Sequence, residues 1–263
     1  MRGEVWKRLC GVAALIKKQP KTYSILTKTT TSPDVSQQID LDVKRSHIEH
    51  ELFAKPYSAG QISMFNMMRA YSLYDPVIGY TQSMSDIAGF LLMYLQEEDA
   101  FWVFVQLMFD PRWAMQQYFT DGFPKLSEAC FIQAKLLKKY LPDVYDHMVQ
   151  VDFIPETIQP HAMEWFMAMF IRILPYELTF RIFDVIMSHG YDVVYNVSLG
   201  MYKILRQELL KVSSYPYMMQ TLKSPVQYVG KVSPDEFIKT AMKFDIEEDV
   251  KAFRNEYNEM MKR

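Results

Sequence analysis

The sequence predicts an all-α fold. Apolar residues recur at helical spacing from one end of the chain to the other. Glycine is scarce, at nine of 263 residues, about half the ordinary usage of ~7%. No stretch of useful length alternates apolar and polar side chains as a half-buried strand does. The hydrophobic fraction is 49%, rich in Met, Leu and aromatics. Such a composition suits helices that bury large side chains against one another with few tight hairpins. The length allows one large domain or two closely packed lobes.

Residues 27–36, rich in Thr and Ser with Pro33, are the most linker-like stretch. The segment Ile39-Asp40-Leu41-Asp42-Val43-Lys44-Arg45 is therefore expected to follow a surface loop. Asp75-Pro76 signals a turn, and Gly79 permits a backbone conformation that other residues resist. Met84, Ile87, Ala88, Leu91 and Leu95 then make a helical stripe. Phe101, Phe104, Val105 and Met108 make a second, and Met163, Phe166, Met167, Phe170, Ile171 and Leu174 a third. Val193, Val197, Met201, Ile204 and Leu205 make a fourth. Each stripe needs a partner helix to bury it, and with so many stripes the partners are one another. Pro175 can open a helix at its first turn, where its missing N–H costs nothing. Gly190 stands where that helix should stop. Ser233-Pro234-Asp235-Glu236 is a capping box with proline at the first helical position. The remainder, to Arg263, reads as one or two short helices. No internal repeat and no low-complexity segment is present.

The formal net charge of −2 gives no electrostatic case for nucleic acid, which needs a basic excess. Two cysteines, Cys10 and Cys130, cannot make a disulfide framework and suit a reduced, intracellular compartment. The apolar runs at 101–109 and 165–174 fall short of the ~18 residues that cross a bilayer. The N-terminus, Arg2-Gly3-Glu4, has no signal-peptide hydrophobic region. These features predict a cytoplasmic protein without direct membrane insertion, whose contact with endomembranes would run through partners.

Two fragments carry chemistry. In Ile39-x-x-Asp42-x-x-Arg45, a helix would place Asp42 and Arg45 on one face, so that the carboxylate can orient the guanidinium while Ile39 anchors the segment. Standing alone, such a pair is ordinarily a surface ion pair worth under ~1 kcal/mol. In Gly79-Tyr80-Thr81-Gln82-Ser83-Met84, Gln82 sits between a turn signal and an apolar stripe. It is expected in a loop at a helix start with its amide exposed. By itself it reads as an ordinary capping or solvent-facing glutamine.

The two fragments together resemble the IxxDxxR and YxQG motifs of TBC-domain Rab GTPase-activating proteins. Further pieces resemble the family in order along the chain: Arg2-Gly3-x-x-Trp6, Ala70-Tyr71-Ser72-Leu73-Tyr74-Asp75, Glu97-Glu98-Asp99-Ala100-Phe101-Trp102, Trp165-Phe166 through Leu174-Pro175, and Arg181-Ile182-Phe183-Asp184. The resemblance implies a V-shaped domain of two helical lobes, the N-terminal one roughly 1–150 with the finger motifs and the C-terminal one roughly 151–263. It implies that Arg45 is an arginine finger and Gln82 a glutamine finger, both acting on a GTP-bound Rab in vesicle trafficking. Asp42 would orient Arg45, Tyr80 would shape the loop of Gln82, and Arg2 and Trp6 would brace the motif. The chain departs from the family pattern at Ser83, where glycine is usual, and at Ser46-His47-Ile48, where Thr-Phe-Pro is usual. A catalytically weak or inactive scaffold of the same fold is the alternative.

Other sites are thin. His47-x-x-His50, with Glu49 and Glu51, lacks a third histidine and an HExxH pattern. His147, His161 and His189 read as surface or packing residues. No GxxxxGK[ST] loop occurs, so no cofactor of its own is expected; GTP and Mg²⁺ would come with the partner. Cys10 and Cys130 have no evident nucleophile partner. The methionines at 163–169 read as core, and Lys17-Lys18 and Lys138-Lys139 as solvated pairs.

Overall fold

The computed structural model describes residues 1–262, and among them no strand is present. Sixteen α-helices and two short helical turns carry the fold among the described residues. The chain divides into two compact units, Met1–Phe119 and the segment from Thr120 onward. The division falls well ahead of the boundary expected near residue 150. The reason is packing: the helices over 124–150 lie against others of the second unit.

The first unit holds α1 (Arg2–Leu9), α2 (Val12–Lys18), α3 (Thr22–Leu26), α4 (Pro33–Val43), α5 (Ala59–Tyr74), α6 (Ser83–Leu92) and α7 (Glu97–Phe109), followed by a 3₁₀ turn at Met115–Phe119. The linker read at 27–36 is shorter in fact. Ser32 caps α4, its hydroxyl accepting from the Val35 N–H, and Pro33 is the first helical residue. Ser58 caps α5 in the same way, accepting from the Gln61 N–H. The stripe that predicted α6 is fully inside, as are Ser85, Asp86 and Gly89 between its members. Every residue of α6 from Met84 to Leu92 is buried, because α4, α5 and α7 all pack against it. A helix enclosed on all faces has little freedom to rock, so its N-terminus is a fixed point.

The second unit holds α8 (Pro124–Tyr140), α9 (Pro142–Gln150), α10 (Pro160–Ala162), a π-helical turn at Met163–Met167, α11 (Tyr176–His189), α12 (Val193–Leu209), α13 (Tyr215–Lys223), α14 (Val226–Val229), α15 (Pro234–Ala241) and α16 (Glu247–Met260). The capping box forms: Ser233 accepts from the Glu236 N–H at 3.2 Å. Gly190 ends α11 with φ +89°.

One expected stripe is not a regular helix. After the π-helical turn the chain breaks, with Met169 and Phe170 at positive φ. The Tyr191 hydroxyl takes the Phe166 carbonyl, which a continuing helix would have offered to the Phe170 N–H. That N–H bonds to the Glu164 carbonyl at 2.9 Å instead. Trp165, Phe166, Met167, Ala168, Met169 and Phe170 are all buried, so the apolar spacing reflects enclosure on every side and not one helix face.

Candidate functional site

The site begins at the end of α4. Ile39 is fully buried and anchors that helix, and its last turn carries Asp42. The chain leaves the helix at Lys44, so Arg45 stands just beyond the C-terminus with its side chain 53% exposed, while the Asp42 side chain is 1% exposed. Arg45 donates from Nε at 3.0 Å and from Nη2 at 2.5 Å, both to Oδ1 of Asp42. Only that edge of the guanidinium is held. Nη1 makes no hydrogen bond among the described residues.

Asp42 also gathers the second motif. Its Oδ2 accepts from the Tyr80 hydroxyl at 2.8 Å and from Gln38 Nε2 at 3.1 Å. Burial raises the Tyr80 pKa, which keeps the phenol a neutral donor. The turn that delivers Tyr80 is built on Asp75, whose backbone carbonyl accepts from the Gly79 N–H at 2.8 Å. The Asp75 carboxylate accepts from the Tyr71 hydroxyl and from Gln116 Nε2. Gly79 lies at φ +66°, and a Cβ there would meet nothing within 4 Å. Glycine is therefore needed for its left-handed backbone and not for space.

Gln82 is the residue just before α6, and its side chain makes no capping bond. Its carbonyl accepts from the Ser85 hydroxyl at 2.8 Å. The Ser46 hydroxyl donates to the Asp42 carbonyl at 2.8 Å, and the two serine oxygens lie 3.1 Å apart. The two hydroxyls thus touch between the backbones of Asp42 and Gln82; each has one proton, so at any moment either both carbonyls are bonded or the serines bond each other and one carbonyl is released. His47, buried at φ +56°, adds a further tie: its Nε2 lies 2.8 Å from the Asp86 carbonyl. A Cβ on Gly89 would sit 2.4 Å from the His47 ring, so only glycine leaves room for this docking.

The sequence names Asp42, Arg45, Tyr80 and Gln82, and the fold brings together the two segments that carry them. It assigned Tyr80 only to the shape of its own loop; in the structure Tyr80 binds Asp42 directly. Gln38, Ser46, His47 and Ser85 were missed. Gln38 was findable from its spacing of four from Asp42; nothing in the sequence pairs Ser46 with Ser85. Arg2 and Trp6 lie elsewhere than expected. Trp6 is fully buried against Phe90 and Tyr94, and Arg2 Nη1 donates to the Tyr94 hydroxyl at 2.9 Å. They brace the C-terminal end of α6, about three turns from Gln82, and reach the site only through that helix.

The site is an open surface. A cleft of about 670 Å³ is lined by residues of α1 and α2 with Gln106 and Arg112, and contains neither Arg45 nor Gln82. Among the described residues no group of three or more His, Cys, Asp or Glu could hold a metal ion, and no helix is long and apolar enough to cross a membrane. Burial pushes the Cys10 and Cys130 thiols up to about 12, which leaves them inert. The arrangement offers one half-exposed cation tethered to a buried carboxylate and one half-buried primary amide at the start of a buried helix.

Replacing Tyr80 with Phe isolates the tie between the motifs. The variant is expected to lose about 1.5–3 kcal/mol of stability, the worth of one hydrogen bond to a charged group, measured by chemical denaturation. A loss above about 4 kcal/mol would mean that the hydroxyl organises much more than Asp42.

Comparison with known proteins identifies the family. The profile of the RabGAP-TBC family, the Rab-GTPase-TBC domain, matches residues 1–210. TBC1 domain family member whacked of Drosophila melanogaster is 35% identical over 201 residues, which is 76% of this chain and 53% of the fly protein. Human TBC1 domain family member 1 is 31% identical over 264 residues, 98% of this chain and 22% of that protein. The chain thus spans about half, or less, of these relatives. Among solved structures, the Chlamydomonas flagellar RabGAP TBC domain superposes with a TM-score of 0.77 at 23% identity, covering 91% of this chain and 78% of that one. The Ypt/Rab-GAP domain of Gyp1p superposes with a TM-score of 0.72 at 15% identity, covering 97% of this chain and 88% of that one. These likenesses establish the all-helical fold, and the profile match over most of the chain establishes the family: the protein belongs to the Rab-GTPase-TBC domain family.

Proposed function

We propose that this domain accelerates GTP hydrolysis by a GTP-loaded Rab-family GTPase, with Arg45 and Gln82 supplied in trans and GTP and Mg²⁺ carried by the partner. In the cell this would be an off-step in vesicle trafficking, carried out in the cytoplasm at membranes reached through the partner. The observation that supports the reading most is the shared carboxylate: Asp42 holds both Arg45 and Tyr80, so one buried group sets the position of both motifs. Phosphoryl transfer to water needs charge stabilised on the transferring group and a water aligned for attack. Arginine is a permanent, planar, multidentate cation, and here Nη1 makes no hydrogen bond among the described residues while Nε and Nη2 are held by Asp42. Glutamine carries both an acceptor and a donor, which suits holding a water against a phosphate oxygen. Preorganisation matters because fixed groups need not be reoriented as charge develops.

The test is phosphate release under single-turnover conditions across a panel of purified Rab proteins, paired with calorimetry. A catalyst binds the transition state more tightly than the ground state. Affinity for Rab-GDP is expected to rise by about 100-fold or more when aluminium or magnesium fluoride is added, and the gain should need both Arg45 and Gln82. A preference for Rab-GTP without any fluoride gain would favour the inactive scaffold. Ser83 is not expected to be the obstacle. It is the first residue of α6 and helical, so its position has no need of glycine's conformational range. Ser83→Gly should leave the rate near wild type; a clear rise would show that the serine side chain hinders the approach.

A further inference from the structure

The segment that joins Arg45 to α5 carries more than a connection needs. It is held from beneath: His47 and Phe53 are buried, Gln61 Nε2 donates to the Phe53 carbonyl, and Gln61 Oε1 accepts from the Tyr57 N–H at 2.9 Å. That clamp fixes Tyr57 at φ +58°, a conformation that L side chains resist. Among the aromatic residues at positive φ, His47 and Phe170 are buried and Phe123 is half-buried, whereas Tyr57 is 71% exposed. Strain held at an exposed aromatic, by groups that spend buried hydrogen bonds on it, points to use and not to packing.

Tyr57 also has the right neighbours. Lys44 Nζ lies 5.6 Å from its ring centroid, and Lys44 adjoins Arg45 in the chain. Leu41, 53% exposed, lies in the last turn of α4, three and four residues before Lys44 and Arg45. Ile48, 55% exposed, follows Arg45 by three residues. Two exposed apolar residues thus lie within four residues of Arg45 in the chain, and an exposed tyrosine touches its neighbour Lys44. An arginine can enter a partner's nucleotide site only when the protein surface around that site lies against whatever surrounds the arginine. Tyrosine and arginine are also among the residues most enriched at binding hot spots.

We infer that Tyr57, with Leu41 and Ile48, docks on the apolar rim of the GTPase's nucleotide site and sets which GTPase the domain accepts. This rests on the GTPase-activating reading above. The occupant is the GTP-loaded partner itself, because these residues lie on either side of Arg45 in the chain.

Tyr57→Gly and Tyr57→Phe test it. Glycine removes the ring and relieves the backbone, so a purely structural role would leave binding alone. Tyr57→Gly is expected to raise KM for Rab-GTP about tenfold or more, with kcat retained and the melting temperature equal or higher. Tyr57→Phe should stay near wild type, and Tyr57→Gly should alter the ranking of Rab proteins. An unchanged KM, or a fall in melting temperature with kcat and KM both damaged, overturns the inference. Calorimetry with Rab-GTP separates it from the catalytic reading. If the wild-type domain binds a GTPase without accelerating it, weaker binding by Tyr57→Gly upholds the docking surface while the catalytic reading fails. If the wild-type domain binds none, both are overturned.

Discussion

Arg45→Ala is expected to slow single-turnover phosphate release from the responsive Rab by about 10³–10⁵, the scale of an arginine finger supplied in trans. The domain should stay folded. Asp42 keeps its bonds from Tyr80 and Gln38, and the exposed side left by Arg45 admits water, so the stability loss should be nearer the ~1 kcal/mol of a surface pair than the 3–5 kcal/mol of a broken buried one. Arg45→Lys separates the two effects. A lysine can still offer a cation to Asp42, which preserves stability. It cannot hold the carboxylate with one edge and reach phosphate with another, so its rate should be almost as poor as that of alanine. A melting curve beside the rate measurement reads both. Activity near wild type in either variant would remove Arg45 from the transition state.

Gln82→Ala should be nearly as damaging when the partner cannot position water itself. A Rab whose own water-positioning glutamine is replaced by alanine is expected still to respond to the wild-type domain and to lose that response with Gln82→Ala. The structural basis is the fixed start of α6: Gln82 precedes a helix buried on every face from Met84 to Leu92, and its carbonyl accepts from the Ser85 hydroxyl, which touches that of Ser46. Its side chain is left out of that network. Loss of the amide should therefore leave the melting temperature almost unchanged while the rate collapses. A mutant Rab that ignores the wild-type domain altogether would mean that water positioning comes from elsewhere.

The sequence by itself determined what depends on neighbours within a few turns. The stripe from Met84 to Leu91 and that from Phe101 to Met108 are helical and buried as their spacing requires, while Leu95 is buried beyond the end of α6. Ser233 caps α15, Gly79 takes a left-handed backbone, and Asp42 pairs with Arg45 three residues on. These follow from local geometry, in which spacing along the chain converts directly into a shared face or a turn.

Where the sequence misled, long-range packing had overruled the local pattern. The segment at 163–174 has helical spacing but breaks at Met169 and Phe170, because Tyr191 takes the Phe166 carbonyl. Arg2 and Trp6 are expected to brace the finger motifs yet pack on Phe90 and Tyr94. Only the tertiary structure decided that Tyr80 would close on Asp42, that Ser46 would meet Ser85, and that His47 would lie over Gly89. Each of these pairs joins residues far apart in the chain, across helices whose relative rotation and slide come from the packing of whole faces. Periodicity identifies the buried face of a helix; it does not say which residue of another helix that face will meet.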